Sequence, residues 1–263
     1  MKTVYVAMVE QQPGQLYSGS VGPGSDHNSS ALPAVVVSQR TINGMTSRYI
    51  DLSHPIEHDK TSHPGLPAPV ISTFISREES AQQLGTGISF HIGRIEMVAN
   101  TGTYIDAPFH FHAGAADVAQ LALERLVDIP IVVIRAIGRA AVSPELLEDP
   151  GILWGKAVLV HTGWSRHWGT QAYLSRSPYL TQGFAQAMVD ANVALLGIDA
   201  LNVDNVEDLT RRVHDTVLAN GIPLLENLTN LDRLPDHGAR LTALPAPIRG
   251  LGSFPVRAVA ALA

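Results

Sequence analysis

Residues 100–112 (NTGTYIDAPFHFH) bring an amide, a phenol, a carboxylate and two imidazoles into one short segment. Gly102 and Pro108 are expected to bend the backbone, and the chain between them is expected to be extended. An extended chain places every second side chain on one face, so the even-numbered polar residues should line one wall. These residues are Asn100, Tyr104, Asp106, His110 and His112. Aspartate offers a hard oxygen ligand, and histidine offers a metal ligand or a proton carrier near neutral pH.

The same spacing has a simpler explanation, which stays open at this point. An Asp-x-Pro-x-His segment is also common turn chemistry, in which the aspartate accepts hydrogen bonds from backbone N–H groups before a proline. Taken singly, His112 is more typical of a structural or pocket-edge histidine than of a metal ligand.

The composition favours a globular chain that acts on small molecules. Of the 263 residues, 45% are hydrophobic and 16% are charged, which is enough apolar material for a sizeable core. The net charge is −6 and the basic residues are scattered, which argues against a nucleic-acid surface and a polybasic membrane anchor. With no cysteine in the chain, any metal must bind to His, Asp, Glu, Asn or water. Since no apolar run approaches a membrane span or a signal-peptide core, we expect a cytoplasmic protein.

The sequence predicts an N-terminal extension followed by one folded domain. Residues 11–30 are rich in Gly, Ser, Pro and Gln, which cannot bury enough apolar area to order themselves. We therefore predict a flexible extension or leader over residues 1–44 and a single domain over residues 45–263.

Strand and helix patterns alternate in this domain without a regular βαβ repeat, which predicts an α/β or α+β fold. Strands are predicted at 48–52, 70–75, 88–98, 129–135, 157–161, 193–198, 222–225 and 255–261. Helices are predicted at 115–126, 182–192 and 206–220, with a short one starting at Ser143.

The segment around Asp106 resembles the metal-dependent hydrolases of the cyclase family, which include bacterial kynurenine formamidases, isatin hydrolases and some lactone hydrolases. That family carries the motif H-x-G-T-H-x-D-x-P-x-H, and residues 100–110 read N-T-G-T-Y-I-D-A-P-F-H. Other stretches that resemble the family lie at 51–65, before the motif, and at 161–169 and 179–204, after it. The resemblance therefore extends from about Asp51 to the C-terminus. It implies an α/β class with the family's single-domain swivelling β/β/α fold, and a homodimer or homotetramer.

The resemblance also implies roles for particular residues. In the family, the motif's first two histidines and its aspartate bind zinc or manganese, the last histidine is a general acid/base, and a distal histidine and glutamate add ligands. Carried over, Asp106, His214 and Glu226 are metal ligands and His110 transfers protons. Geometry allows the distal pair to meet, because the helix after His214 rises about 9 Å and the strand after Gly221 returns about as far.

Asn100 and Tyr104 replace the first two histidines of the motif. A neutral amide is a weaker ligand than imidazole, and a phenol binds a metal only after losing its proton. Three outcomes follow: a metal held by Asp106, His214 and Glu226, a harder ion such as Mn²⁺ or Mg²⁺, or loss of catalysis. We favour the first, because these three residues survive together with His110.

The resulting hypothesis is hydrolysis of a small amide, formamide or lactam by metal-activated water. His110 would transfer the proton, and Tyr104 would donate a hydrogen bond to the developing oxyanion. Asn100, His112 and Trp164 are predicted to contact the substrate, Trp164 because it follows the end of an apolar strand. The alternatives are a lactone or isatin-type ring hydrolase and, in another class, a non-catalytic ligand-binding protein on the same scaffold.

Overall fold

A computed structural model describes residues 39–42, 45–147 and 149–262, and its main feature is a ten-stranded mixed sheet. In chain order the strands are β1 Gln39–Ile42, β2 Met45–Asp51, β3 Val70–Ile75, β4 Ile92–Glu96, β5 Tyr104–Asp106, β6 Ile129–Arg135, β7 Ala141–Val142, β8 Ala157–His161, β9 Tyr179–Leu180, β10 Leu195–Ile198, β11 Leu224–Glu226, β12 His237–Thr242, β13 Ser253–Pro255 and β14 Val259–Leu262. The α-helices are α1 Arg77–Leu84, α2 Gln182–Asp190 and α3 Arg212–Ala219. The large sheet has the order β1-β2-β14-β12-β6-β8-β10-β11-β5-β13, while β3–β4 and β7–β9 form two small sheets.

The centre of the large sheet is parallel, and antiparallel strands flank it. The parallel pairs are β6–β8, β8–β10 and β10–β11. All four residues of β10 are buried, as are residues 157–160 of β8. Such continuous apolar runs are typical of strands that are covered on both faces.

Two apolar cores cover the two faces of this sheet. Helices α2 and α3 lie over one face, where Phe184, Met188 and Val217 belong to one buried cluster. Leu52, Ile105 and other residues form the second buried cluster. Helix α2 begins where the Thr181 side chain accepts a hydrogen bond from the Phe184 N–H at 3.2 Å, as expected of a threonine N-cap.

The strands predicted at 70–75, 129–135 and 157–161 and the helix predicted at 182–192 are confirmed. The helix predicted at 115–126 is wrong, because that segment forms turns with one short 3₁₀ turn at Leu123–Arg125. The Asp117 carboxylate accepts hydrogen bonds from the backbone N–H groups of Ala119 and Gly250, which favours a turn over a helix. Helix α3 starts at Arg212, later than the predicted residue 206, because the side chains of Asn205 and Asp208 accept from the N–H groups two residues onward.

The predicted boundary at residue 45 lies inside the large sheet. Strand β1 pairs antiparallel with β2, from Gln39 against Arg48 to Ile42 against Met45. The remainder of the predicted extension, residues 1–38, lies outside the described residues, so its flexibility stays a prediction. None of the helices in the described part of the chain has the length and apolar character needed to span a bilayer.

Residues 70–96, which comprise β3, α1 and β4, form an arm outside the ten-stranded sheet. Every residue of β4 and five of the six residues of β3 are exposed. The large apolar side chains exposed on this arm are Val70, Ile71, Phe74, Leu84, Ile88, Phe90, Ile92 and Ile95. A two-stranded sheet is marginally stable alone, so this arm is expected to need further packing.

Candidate functional site

Strand β5 brings the first candidate residues together, because it lies between β11 and β13. In the antiparallel β5–β11 pair, Tyr104 is opposite Glu226, and in the β5–β13 pair Asp106 is opposite Ser253. Tyr104 and Asp106 are two residues apart on one strand, so their side chains share a face. The predicted alternation therefore holds over β5, but it ends at Pro108, where a 3₁₀ turn over Pro108–His110 begins.

Asp106 is fully buried, and only one of its carboxylate oxygens is satisfied. Oδ1 accepts from the Ser253 hydroxyl and lies 3.4 Å from the Asn100 side-chain N–H₂ donor. Asn100 also donates to Ser253 Oγ at 3.1 Å, so these two residues orient the carboxylate together. Oδ2 has no hydrogen-bond partner among the described residues. Burying a carboxylate oxygen without a hydrogen-bond partner lowers the stability of the fold unless a cation lies close to it.

His214 points at the free oxygen of Asp106 from the start of α3. Its Nε2 lies 3.6 Å from Asp106 Oδ2 and 3.5 Å from Glu226 Oε1. Its Nδ1 lies 2.6 Å from Asp204 Oδ2, while the Asp204 carboxylate also accepts from the backbone N–H groups of Val213 and His214. Asp204 thus anchors the first turn of the helix and fixes the orientation of the imidazole. Burial alone would lower the pKa of His214, but the neighbouring carboxylates of Asp106, Asp204 and Glu226 raise it to about 10.

Glu226 and Tyr104 form a second buried pair beside Asp106. The Tyr104 hydroxyl donates to Glu226 Oε2, and the Val203 N–H donates to Oε1 at 2.7 Å. Burial and the charges of Glu226 and Asp106 raise the pKa of Tyr104 well above its usual value, so the phenol keeps its proton. Burial also raises the pKa of Glu226 to about 7, against the opposing charge of His214. The Tyr104 hydroxyl therefore donates its proton in the hydrogen bond to Glu226. The predicted donation from Tyr104 to a substrate oxyanion would require that hydrogen bond to break.

His110 reaches the same place from the 3₁₀ turn after β5. Its Nε2 lies 3.9 Å from Asp106 Oδ1, and its side chain is 32% exposed, whereas that of His214 is 4% exposed. Gly252 lies directly behind it, since a Cβ at that position would be 2.5 Å from His110 Cα. Only glycine allows this close approach of β13 to the turn. His110 is the more exposed of the two histidines, and beside it lies an open space.

That open space is a cavity of about 250 Å³. Its lining contains the predicted residues Asn100, Tyr104, His110, His214 and Glu226. It also contains five residues that sequence reasoning missed: His63, Leu66, Phe111, Asn202 and Arg211. The Phe111 ring stacks on His214, with ring centroids 4.9 Å apart and planes 12° apart.

Two predicted substrate contacts lie elsewhere. His112 Nε2 is 3.2 Å from the backbone oxygen of Asp215, on the outer side of α3, and the residue is not part of the cavity lining. Trp164 donates from its indole N–H to the Tyr173 carbonyl and packs against the core beside α2. The structure therefore does not bring either residue into this cavity, because the 3₁₀ turn redirects the chain before His112 and the backbone carbonyl holds the indole of Trp164.

The arrangement fits a divalent cation. Three side chains each offer one ligand atom, and these three atoms lie within 4.8 Å of one another: Asp106, His110 and His214. A tetrahedral cation with bonds of about 2.0–2.1 Å holds its ligand atoms about 3.3 Å apart, and the separation of His214 Nε2 and Asp106 Oδ2, at 3.6 Å, is near that value. The unpartnered oxygen of Asp106 and the Asp204 hydrogen bond to the far nitrogen of His214 are also features of metal sites. Glu226 lies outside this group of three, and its role as a ligand stays a prediction.

The α/β fold and the buried carboxylate–histidine cluster beside a cavity are what we expect of a metal-dependent hydrolase. Comparison with known sequences agrees, since the Cyclase family profile matches residues 50–205. Kynurenine formamidase from Bacillus cereus (strain ATCC 10987 / NRS 248) is 30% identical over 214 residues, which cover 81% of this chain and 97% of that protein. Kynurenine formamidase from Bacillus cytotoxicus is 30% identical over 213 residues, with the same coverage of 81% and 97%. The chain belongs to the cyclase family.

Solved structures show the same fold. Isatin hydrolase A from Labrenzia aggregata, bound to benzyl benzoate, superposes with a TM-score of 0.71 at 22% identity, covering 82% of this chain and 94% of that one. Isatin hydrolase A from Ralstonia solanacearum gives a TM-score of 0.70 at 25% identity, covering 82% and 92%. The predicted α/β fold of this family is confirmed.

Proposed function

We propose that the protein is a metal-dependent hydrolase that cleaves the C–N bond of a small amide, with aryl formamides as the first candidates. The observation that carries this proposal is the unpartnered, fully buried oxygen of Asp106 beside His214, whose side chain lines the cavity. The relation to kynurenine formamidases over nearly their whole length supports formamides as substrates.

Asp106, His214 and Glu226 would hold the cation, which would leave His110 free for proton transfer. A cation bound there would lower the pKa of a water molecule and polarise the substrate carbonyl. Zinc and manganese are the candidate ions, because the group offers imidazole nitrogen and carboxylate oxygen together.

The remaining steps fall to side chains of this chain. His110 Nε2 would take a proton from the attacking water and return one to the leaving nitrogen, because it is the imidazole most open to the cavity. Asn100 and Ser253 keep the Asp106 carboxylate oriented, and Asp204 keeps His214 oriented. Asn100 would also face the substrate, as its place in the cavity lining allows.

The test combines elemental analysis with turnover. Purified protein is expected to carry a divalent metal, and Asp106→Asn is expected to lose it together with activity on formanilide. Turnover of isatins or lactones in place of formamides would favour the ring-hydrolase alternative. A protein that stays metal-free and inert after incubation with Zn²⁺ and Mn²⁺ would favour the non-catalytic alternative.

We also propose that the arm of residues 70–96 packs against a second copy of the chain in a homodimer or homotetramer. Seven of its apolar side chains, at positions 70, 71, 74, 88, 90, 92 and 95, are between 39% and 66% exposed. Together they expose roughly 650 Å², close to the ~800 Å² that each partner buries in a standard interface. Homo-oligomers are the commonest assemblies of soluble proteins, and an apolar patch of this size marks an interface.

A further inference from the structure

Arg211 stands at the wall of the cavity in a strained backbone conformation. It immediately precedes α3 and has φ 49° and ψ 43°, which is the left-handed region that side chains other than glycine and asparagine seldom adopt. It lines the cavity together with His110, His214 and Phe111. Backbone strain of this kind is found preferentially at functional sites.

The guanidinium of Arg211 is held by a neutral group. Its single side-chain hydrogen bond within the described part of the chain runs from a terminal nitrogen to Asn202 Oδ1 at 3.4 Å. It forms no ion pair with any carboxylate of residues 49–147 or 149–262. The exposed carboxylate of Asp208, three residues earlier in the chain, instead accepts from the N–H and hydroxyl of Thr210. A guanidinium has five N–H donors, so most of them stay available to a ligand.

The other charged groups of the cavity do not compete for this position. Both oxygens of Glu226 accept hydrogen bonds from Tyr104 and Val203. Among the residues that line the cavity, Arg211 is the one arginine and there is no lysine, so it offers the cavity's one guanidinium or ammonium group. Phe111 and Leu66 supply an aromatic and an aliphatic surface in the same cavity.

From this geometry we propose that Arg211 binds a carboxylate of the substrate, so that the protein prefers small aromatic amides that carry an acidic group. The inference rests on the proposed function for the amide, but the recognition of the carboxylate depends on Arg211 alone. An arginine fork matches a carboxylate with two parallel hydrogen bonds, and such charge-assisted bonds are about twice as strong as neutral ones. Arg211 would act on binding and specificity, because it carries no part of the proposed proton transfer.

The first experiment measures binding, which does not require turnover. Benzoate and its neutral counterpart benzamide are titrated into the protein by calorimetry, and wild type is expected to bind benzoate at least about tenfold more tightly. Arg211→Met should abolish this preference, and so should Arg211→Asn, which keeps the left-handed backbone readily and guards against misfolding. Arg212→Met, which removes an exposed charge from the next residue, is the matched control and should keep the preference.

The second experiment compares turnover of 2-formamidobenzoate with that of 2-formamidobenzamide. Arg211→Met should lower kcat/KM for the acid at least about tenfold, mainly through KM, and leave the neutral amide within about twofold. Equal losses on both substrates would overturn the proposal, since they would indicate a structural or reacting-group role. An unchanged preference for benzoate in Arg211→Met, or no preference in wild type, would also overturn it. If neither formamide is hydrolysed by wild type, the proposed function fails, while the benzoate titration still decides the role of Arg211.

Discussion

Gly252→Ala should slow catalysis by displacing His110, and the size of the effect follows from the structure. The added Cβ would lie 2.5 Å from His110 Cα, 2.8 Å from its N and 3.0 Å from its Cβ. Ordinary contact begins at 3.4 Å, so the two backbones must separate by about 0.9 Å (3.4 − 2.5). A displacement of about 1 Å at a reacting group costs on the order of 100-fold in rate. The backbone itself would accept alanine, because Gly252 does not have a positive φ in the left-handed range.

The assay is kcat on the best formamide substrate, with unfolding in urea and metal content measured on the same samples. We expect kcat to fall about 100-fold and the free energy of unfolding to fall by about 1–3 kcal/mol from overpacking. Gly183→Ala is the matched control, because its new Cβ would lie 3.6 Å from Pro144 Cδ and Cγ, at ordinary contact distance. A Gly252→Ala protein with kcat within threefold of wild type would refute the positioning of His110 by this contact.

Three further predictions concern stability and assembly. Tyr104→Phe removes the hydroxyl donor of the fully buried Glu226 and should lower the free energy of unfolding by about 1–3 kcal/mol in urea titrations. His54→Gln should make the stability less dependent on pH in acid. Burial lowers the pKa of His54 from 6.5 to about 4, so the unfolded chain takes up this proton at a higher pH than the folded chain. Roughly 3 kcal/mol of the free energy of unfolding, present above pH 6.5, is therefore lost as the pH falls through 4. Phe74→Ser in the arm should shift the protein towards monomer in light-scattering measurements, because Phe74 is 65% exposed there.

Each of these predictions has a control and a contrary outcome. Tyr179→Phe changes a tyrosine outside the site, and an equal loss in both variants would contradict the role of the Tyr104 hydroxyl. His237→Gln removes an exposed histidine, and a His54→Gln protein that still loses stability as steeply as wild type between pH 6.5 and 4 would contradict the second prediction. Leu209→Ser removes a side chain that is 86% exposed outside the arm, and a Phe74→Ser protein with an unchanged mass would argue against the arm as the interface.

The core of the site could be predicted from the sequence because its residues follow simple rules of register. Tyr104 and Asp106 share a face of one strand, and the helix and strand after His214 return the chain to Glu226. Asp204 holds this helix and the His214 ring in place, since its carboxylate accepts from the N–H groups of the first turn of α3 and contacts the His214 ring. His112 shows where register fails: a 3₁₀ turn after Pro108 changes the direction of successive side chains.

Ser253 and Arg211 could not be predicted, for different physical reasons. Ser253 reaches Asp106 because β13 pairs with β5 across 147 residues of sequence, and no local pattern encodes that pairing. Arg211 faces the cavity because its backbone is left-handed and α3 starts only after it. The predicted helix from residue 206 would have placed this residue on a helical surface among ordinary charged side chains. Asx turns at Asn205 and Asp208 delay the helix, and propensity did not reveal them.

Asn100 and Tyr104 supply hydrogen bonds that stabilise the negatively charged carboxylates of the site. Both are neutral hydrogen-bond donors, and both donate to carboxylates: the Asn100 amide donates towards Asp106 Oδ1 and the Tyr104 hydroxyl to Glu226 Oε2. A charge-assisted hydrogen bond stabilises a buried carboxylate without bringing a cation to it. Glu226 therefore depends less on a metal than Asp106, whose Oδ2 is the buried carboxylate oxygen that lacks a partner among the described residues. Metal affinity should consequently depend most on Asp106, and Asp106→Asn should lower it further than Glu226→Gln does. The reverse order in metal titrations would show that Glu226, despite its two donors, carries the cation.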